Sequence, residues 1–336
     1  MRNTITILLL TLVCSLNAQN TFVPDDNFEQ ALIDLGYDSG PLDDYVPTAN
    51  INTITSLDVH GKNIADLTGI EDFTALTNLS CHHNQLSALN ISNNTNLRIL
   101  SCQYNQITSL DISNNLALYN FNCYNNRLST LSIINNTSLL DLFCGANELT
   151  DIDVSNNTAL RTLYGQDNQL TDLDVSNNPA LQYFKCFDNQ LISLNLKNGN
   201  NTLISNDNFD MTNNPYLTCI MVDDATWSTA NWTNIDATST FVNSQAECDA
   251  LLGIDDNNFD EVISIYPNPA KDSFSINHSA TAEIKSLKIY NLQGRLIFQT
   301  HLINNNIDTD HFETGIYMVK LNLLNGQSVI KKLIVK

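Results

Sequence analysis

A 21-residue period between Leu76 and about Asn201 constrains this chain more than any other feature. Six units begin at Leu76, Leu97, Leu118, Leu139, Leu160 and Leu181, each close to L-x-x-L-x-C-x-x-N-x-L-x-x-L-x-[IV]-x-N-N-x-x. A unit of this length cannot bury its own apolar side and needs a neighbour on each flank. Stacking the units in phase turns the recurrent Leu and Cys positions into one continuous core. Positions 4 and 6, such as Leu79 with Cys81 and Phe121 with Cys123, alternate as a short strand does. Positions 11, 14 and 16 (Leu86, Leu89 and Ile91 in the first copy) close the other side of the coil.

Position 9 is Asn in all six copies: Asn84, Asn105, Asn126, Asn147, Asn168 and Asn189. An amide at the inner corner of a coil can bond the backbone of its own turn and of the next, where no regular ladder reaches. The Asn-Asn pairs, such as Asn93-Asn94 and Asn156-Asn157, suit a tight turn because Asn tolerates positive φ. This pattern resembles the leucine-rich repeat family in a short bacterial form, over roughly residues 54–222. The stretch from Asp66 to Phe73 is similar to internalin-type repeats. The resemblance implies a mainly β and irregular solenoid, a right-handed coil with parallel strands on its concave face.

The flanks read as lids and addresses. Residues 1–18 have the form of a signal peptide: Arg2, an apolar run from Ile5 to Leu16, and Ala18. Cys14 follows Val13, where lipid attachment wants a small residue, so a lipoprotein is not expected. Residues 19–53 form an N-terminal cap. In it Pro24 to Gly36 predicts a helix, with Asp26 and Glu29 as an acidic capping box and with Phe28, Ala31, Leu32 and Leu35 on one face. Ile54 to Ala75 is a divergent first repeat carrying Leu57, Val59, Ile64 and Leu67 in register. After Asn201 the period drifts. Leu217 to Val222 is expected to be the last strand, and residues 223–253 a C-terminal cap in which Trp227 and Trp232 cover the open core.

The chain has a net charge of -21, which repels a phosphate backbone and excludes nucleic acid as a partner. Residues 20–253 hold 27 acidic and 6 basic side chains, whereas the remainder is nearly neutral. That shift places a domain boundary near Gly253. Residues 254–261 read as a solvated acidic linker, without the D-x-[DN]-x-[DN]-G spacing of a calcium loop. Residues 262–336 alternate short strands and turns, as a small β-sandwich does. Its motifs are Val262 to Asp272 with Pro267 and Pro269, Ile289 to Phe298 with a turn at Gly294, Gly315 to Lys320 with Tyr317, and Lys331 to Lys336. In this order they resemble the sorting domain of the type IX secretion system of Bacteroidota. The resemblance implies export through that machinery, a cut in the acidic linker, and shedding or attachment to surface lipopolysaccharide.

Cys81, Cys102, Cys123, Cys144 and Cys186 share position 6, with Gly165 filling the gap. They form a line, whereas a metal needs ligands converging on a point, so thiol packing in the core is expected. Cys219 and Cys248 flank the C-terminal cap and are the disulfide candidate in an exported chain.

Positions 3, 5 and 7 are expected to project from the concave face. They are small and polar early in the array and aromatic late, which gathers Tyr124, Phe143, Tyr164, Tyr183 and Phe187 with Asp141. Exposed rings on a rigid scaffold signal binding of a protein or a glycan; packing of large side chains on one another is the competing explanation. His60, His82 and His83 with Asp58 read as polar surface rather than a metal site. No G-x-S-x-G, H-E-x-x-H or phosphate loop occurs. A non-enzymatic surface binding protein without cofactor or metal is the expectation, with a structural surface component as the alternative.

Overall fold

A computed structural model describes residues 19–251, 263–278, 284–292, 294–300, 306–324 and 328–336. The leader over residues 1–18 and the acidic linker over 254–261 lie outside the described residues. The chain divides into two compact units, Met1–Cys248 and Asp249–Lys336.

The first unit is a parallel β-solenoid of about nine turns. Each turn of the array contributes one strand of three residues, at positions 3 to 5. Seven strands of three residues and a last one of two pair in sequence: Ser56–Asp58, Asn78–Ser80, Ile99–Ser101, Asn120–Asn122, Asp141–Phe143, Thr162–Tyr164, Tyr183–Lys185 and Phe209–Asp210. The register sets Leu57, Leu79, Leu100, Phe121, Leu142, Leu163, Phe184 and Phe209 side by side. All eight are buried, and a single apolar cluster runs from Val23 to Phe241.

Three-residue strands supply few backbone bonds, and the asparagines make up the difference. Asn126 is representative. Its Oδ1 accepts from Ile107 N at 3.0 Å, and its Nδ2 donates to Cys102 O at 3.1 Å and Cys123 O at 3.0 Å. Asn214 continues the row one coil beyond the six copies, accepting from Leu191 N and donating to Cys186 O and Met211 O. There the reach back lengthens from 24 to 28 residues, which is the drift in the period.

The paired asparagines sit in tight turns, Asn94 N bonding Ile91 O, but without positive φ, and the second of each pair does more than turn. Asn94, Asn115, Asn136, Asn157 and Asn178 are fully buried and form a second row. Asn115 Nδ2, for example, donates to Ile91 O and Asn94 O of the preceding coil. Positive φ falls instead at position 8, on His83, Tyr104, Asn125, Ala146, Asp167 and Asp188. The backbone there turns the corner of the coil, and the side chain leaves it outward.

Two further expectations need correction. Cys219–Met221, within Leu217 to Val222, is not the last strand of the long sheet. It belongs to a second parallel sheet of Asp172–Asp174, Ser193–Asn195, Cys219–Met221 and Thr240–Val242, built on positions 13 to 15 of the late coils. The N-terminal helix runs Asp26–Asp34, and its N-cap is Asp25, whose carboxylate accepts from Asn27 N and Phe28 N. Glu29 does not close a capping box: it is buried and accepts from Asp43 N and Asp44 N. Phe28, Ala31 and Leu32 face the core, while Leu35 is 44% exposed. Gly36, at φ 79°, ends the helix, its N–H bonded to Ile33 O.

At the other end Trp232 enters the core. Its ring stacks on Phe209 at 4.3 Å and packs against Phe241 and Trp227, while Nε1 donates to Ile204 O. Cys219 and Cys248 are joined by a disulfide with a Cα–Cα distance of 5.7 Å, tying the helix Gln245–Leu251 to the second sheet.

The second unit holds two antiparallel sheets around one core. The smaller contains Ile263–Tyr266, Ser273–His278 and Asn306–Asp308; the larger contains Leu296–Thr300, Ile284–Asn291, Gly315–Leu323 and Ser328–Val335, in that order across the sheet. Among the described residues no helix is long and apolar enough to cross a membrane.

Candidate binding face

The strands of the long sheet carry positions 3 and 5, position 7 follows two residues beyond each strand, and the six expected ligand-facing residues stand in different environments. Asp141 is engaged within the sheet, accepting from Thr162 Oγ1 at 2.6 Å and Asn120 Nδ2 at 3.3 Å. Phe143 and Tyr164 interlock edge to face at 5.4 Å, and Lys185 Nζ lies 5.8 Å from the Tyr164 ring centre. Burial and the neighbouring Tyr183 raise the Tyr164 hydroxyl above its ordinary pKa. Tyr183 is 41% exposed. Among the described residues neither Tyr183 nor Phe187 packs its ring on another aromatic.

Tyr124 belongs elsewhere. It ends a file of rings that follows the corner of the coils: His60 on His82 at 4.7 Å, His82 to His83 at 5.2 Å, His83 on Tyr104 at 4.3 Å, and Tyr104 to Tyr124 at 5.6 Å. The sequence grouped the three histidines but not the file, because two of its five rings, His83 and Tyr104, stand at position 8, where the residues differ in type. The left-handed corner aims them at position-7 neighbours. Burial, then Asp167 and Tyr104, raise the Tyr124 hydroxyl. Burial, then His60 and His83, lower the pKa of His82, whose Nδ1 has no hydrogen-bond partner among the described residues. His60 Nδ1 pairs with Asp58 Oδ1 at 2.7 Å.

Among the described residues the His, Cys, Asp and Glu ligand atoms that converge are those of Asp26, Glu29 and Asp44, not the imidazoles. Glu29 already accepts two backbone N–H bonds there.

The five position-6 cysteines are free and fully buried. Burial pushes the thiols of Cys102 and Cys144 up to about 12 and raises those of Cys81, Cys123 and Cys186, so they stay protonated and inert. A Cβ on Gly165 would stand 3.2 Å from Cys186 Sγ and 3.9 Å from Cys144 Sγ, so glycine makes room for its neighbours' sulfurs.

In the tail the motif residues assemble into one joint. Between Pro267 and Pro269, Asn268 donates to Lys332 O at 2.7 Å and accepts from Ile334 N at 2.9 Å. Ala270 N bonds Ile334 O, and Lys336 N bonds Ala270 O. The first motif thereby covers the outer edge of the last strand, and the flanking prolines offer no donor for further pairing. Gly294 turns with φ 74° between two strands, and Gly315 opens the Gly315–Leu323 strand. Tyr317 is buried, its hydroxyl donating to Glu313 O.

Residues 264–336 match the family model described as a secretion system C-terminal sorting domain. The tail is a type IX sorting domain, and the chain is exported through that machinery to the medium or the outer-membrane surface. The solenoid is a leucine-rich-repeat fold. It is similar to a crystal structure of an internalin from Listeria monocytogenes, with a TM-score of 0.51 and 22% identity over 69% of this chain and 76% of that one. In sequence, 76 residues, or 23% of this chain, are 40% identical to Internalin J of the same organism. Another 75 residues, 22% of the chain, are 29% identical to Beta-agarase D of Zobellia galactanivorans, over the C-terminal region. The chain spans 8% and 15% of the lengths of these two relatives.

Proposed function

We propose that the protein is a non-enzymatic recognition module that captures a protein or glycan at the cell surface through the concave, long-sheet face of its solenoid. The observation that carries this reading is the pair Tyr183 and Phe187 at the late end of that face. Their rings are unstacked among the described residues; Tyr183 opens the Tyr183–Lys185 strand and Phe187 follows two residues beyond it, on a coil fixed by the asparagine rows. Phe143, Tyr164 and Lys185 form a packed floor beside them. An exposed aromatic on a rigid support loses little entropy when a ligand covers it. Asp141 orders the floor rather than meeting the ligand, and Tyr124 supports the corner.

The working division is a leader over 1–18, caps over 19–53 and 223–253, repeats over 54–222, a linker over 254–261 and a sorting domain over 262–336. After export the linker is cut, and the solenoid is released or attached to lipopolysaccharide. The test is capture by the full chain from panels of surface proteins and glycans, beside the Tyr183→Ala/Phe187→Ala form. Capture lost in the double variant, with the fold retained, supports the reading. Capture that ignores the substitutions, or self-association with no saturable site, moves the protein to a structural role on the surface.

A further inference from the structure

Among the described residues, the larger sheet of the tail buries one face and leaves much of the other exposed. Tyr317, Val319, Leu321 and Leu323 point into the core. The alternate residues of the same strand face away, and the antiparallel register places them beside their neighbours: Ile316 opposite Ile334, Met318 opposite Lys332, and Lys320 opposite Ile330. Across the other partner Met318 lies opposite Tyr290 and Lys320 opposite Lys288, and Tyr290 in turn lies opposite Leu296. Residues directly opposite in an antiparallel pair share a face. The outer face therefore carries an apolar band of Leu296, Tyr290, Met318, Ile316 and Ile334, with Lys288, Lys320 and Lys332 along it and Ile330 beyond the lysines. Ile330 is 55% exposed, Leu296 45%, Ile316 39% and Met318 37%. An antiparallel sheet open to water normally turns polar side chains outward. A contiguous apolar band on such a face marks a binding surface.

We propose that this outer face is the surface by which the type IX export machinery reads the tail. The occupant is a protein component with an apolar patch set among carboxylates. Three considerations select it. The tail's assigned role requires contact with that machinery. The lysines Lys288, Lys320 and Lys332 run along the band on a sheet whose inner face is already used, and they call for an acidic rim on the partner. The joint of Asn268 with Lys332 and Ile334 fixes the strand carrying Lys332, Ile334 and Ile330, so that part of the surface is presented rigid.

The test is export of the full chain in a cell with an active type IX system, scored as the ratio of surface and medium protein to periplasmic protein. The Ile316→Ser/Met318→Ser variant removes the centre of the band without touching the core. The Lys320→Glu/Lys332→Glu variant reverses its rim. Resistance of each purified chain to subtilisin, which does not depend on the altered lysines, reports whether the tail is folded. The expected result is an exported fraction at least ten-fold lower for the serine variant and several-fold lower for the charge reversal, with tails as resistant as the wild type. Normal export of the serine variant with a folded tail overturns the proposal. So does a loss of export in both variants that merely follows loss of the tail's fold. Full export of the charge reversal beside failure of the serine variant overturns the acidic rim.

Discussion

The two units solve the same problem in opposite ways. In the tail, strands of up to nine residues pair along their lengths, so the backbone satisfies itself. In the solenoid the array strands are three residues long, and two rows of buried asparagine amides carry the bonds from coil to coil. Stability in the tail is a property of main-chain pairing, with side chains free to vary on the outer face. Stability in the solenoid is written into side chains, one residue type at one phase, and each must be right.

The sharpest way to break this contrast is Asn126→Ala. It strands the Ile107 N–H and removes one bond from each of the Cys102 and Cys123 carbonyls, which Asn105 and Asn147 still serve; an unpaired buried group costs about 1–3 kcal/mol and each lost bond about 1 kcal/mol. A loss of roughly 4 kcal/mol is expected from denaturation followed by tryptophan fluorescence, a probe confined to the solenoid because both tryptophans lie there. Next is Cys248→Ser, which opens a loop closed across 29 residues and is expected to cost about 3 kcal/mol, matched by adding reductant to the wild type. In the tail the comparable amide is Asn322, which bonds Ser286 Oγ next to a shift in register at the end of a long strand ladder. Asn322→Ala is expected to cost under about 1 kcal/mol by hydrogen exchange of the tail amides. If Asn322→Ala proves as costly as Asn126→Ala, the contrast is wrong.

The smallest effect is a pH dependence at the corner of the coils. Burial, then His60 and His83, hold His82 below its usual pKa of 6.5, so the unfolded chain binds its proton more readily than the folded one. Stability from this group is complete above pH 6.5 and declines as the pH falls toward the lower folded value. His82→Gln should flatten that part of the stability curve without changing it at pH 8.

The same contrast explains what was legible in the sequence. Leucines, cysteines and the position-9 asparagines announced the coil because a repeated environment demands a repeated residue. Asn94 and its successors were visible but misread: local turn preference accounted for their type, whereas their bonds reach back a full coil. The left-handed corner was invisible, since His83, Tyr104, Asn125, Ala146, Asp167 and Asp188 share a backbone shape and no chemistry. With it went the ring file from His60 to Tyr124. Asp25 was passed over as the helix cap because Asp26 beside it offered a capping-box spacing. Within the candidate face, sequence gathered the aromatics, but only packing separated the interlocked Phe143 and Tyr164 from the open Tyr183 and Phe187.

The reach of the corner asparagines carries a consequence for how such a chain can change. Asn105, Asn126, Asn147, Asn168 and Asn189 each accept from an N–H 19 residues earlier, with the same geometry in five successive coils. Every copy therefore presents the same socket and the same plug. A gene that duplicates or drops one 63-base segment joins coil to coil without a mismatch, and the end pieces never register the event. Reach across the face becomes adjustable in steps of one coil, by recombination alone.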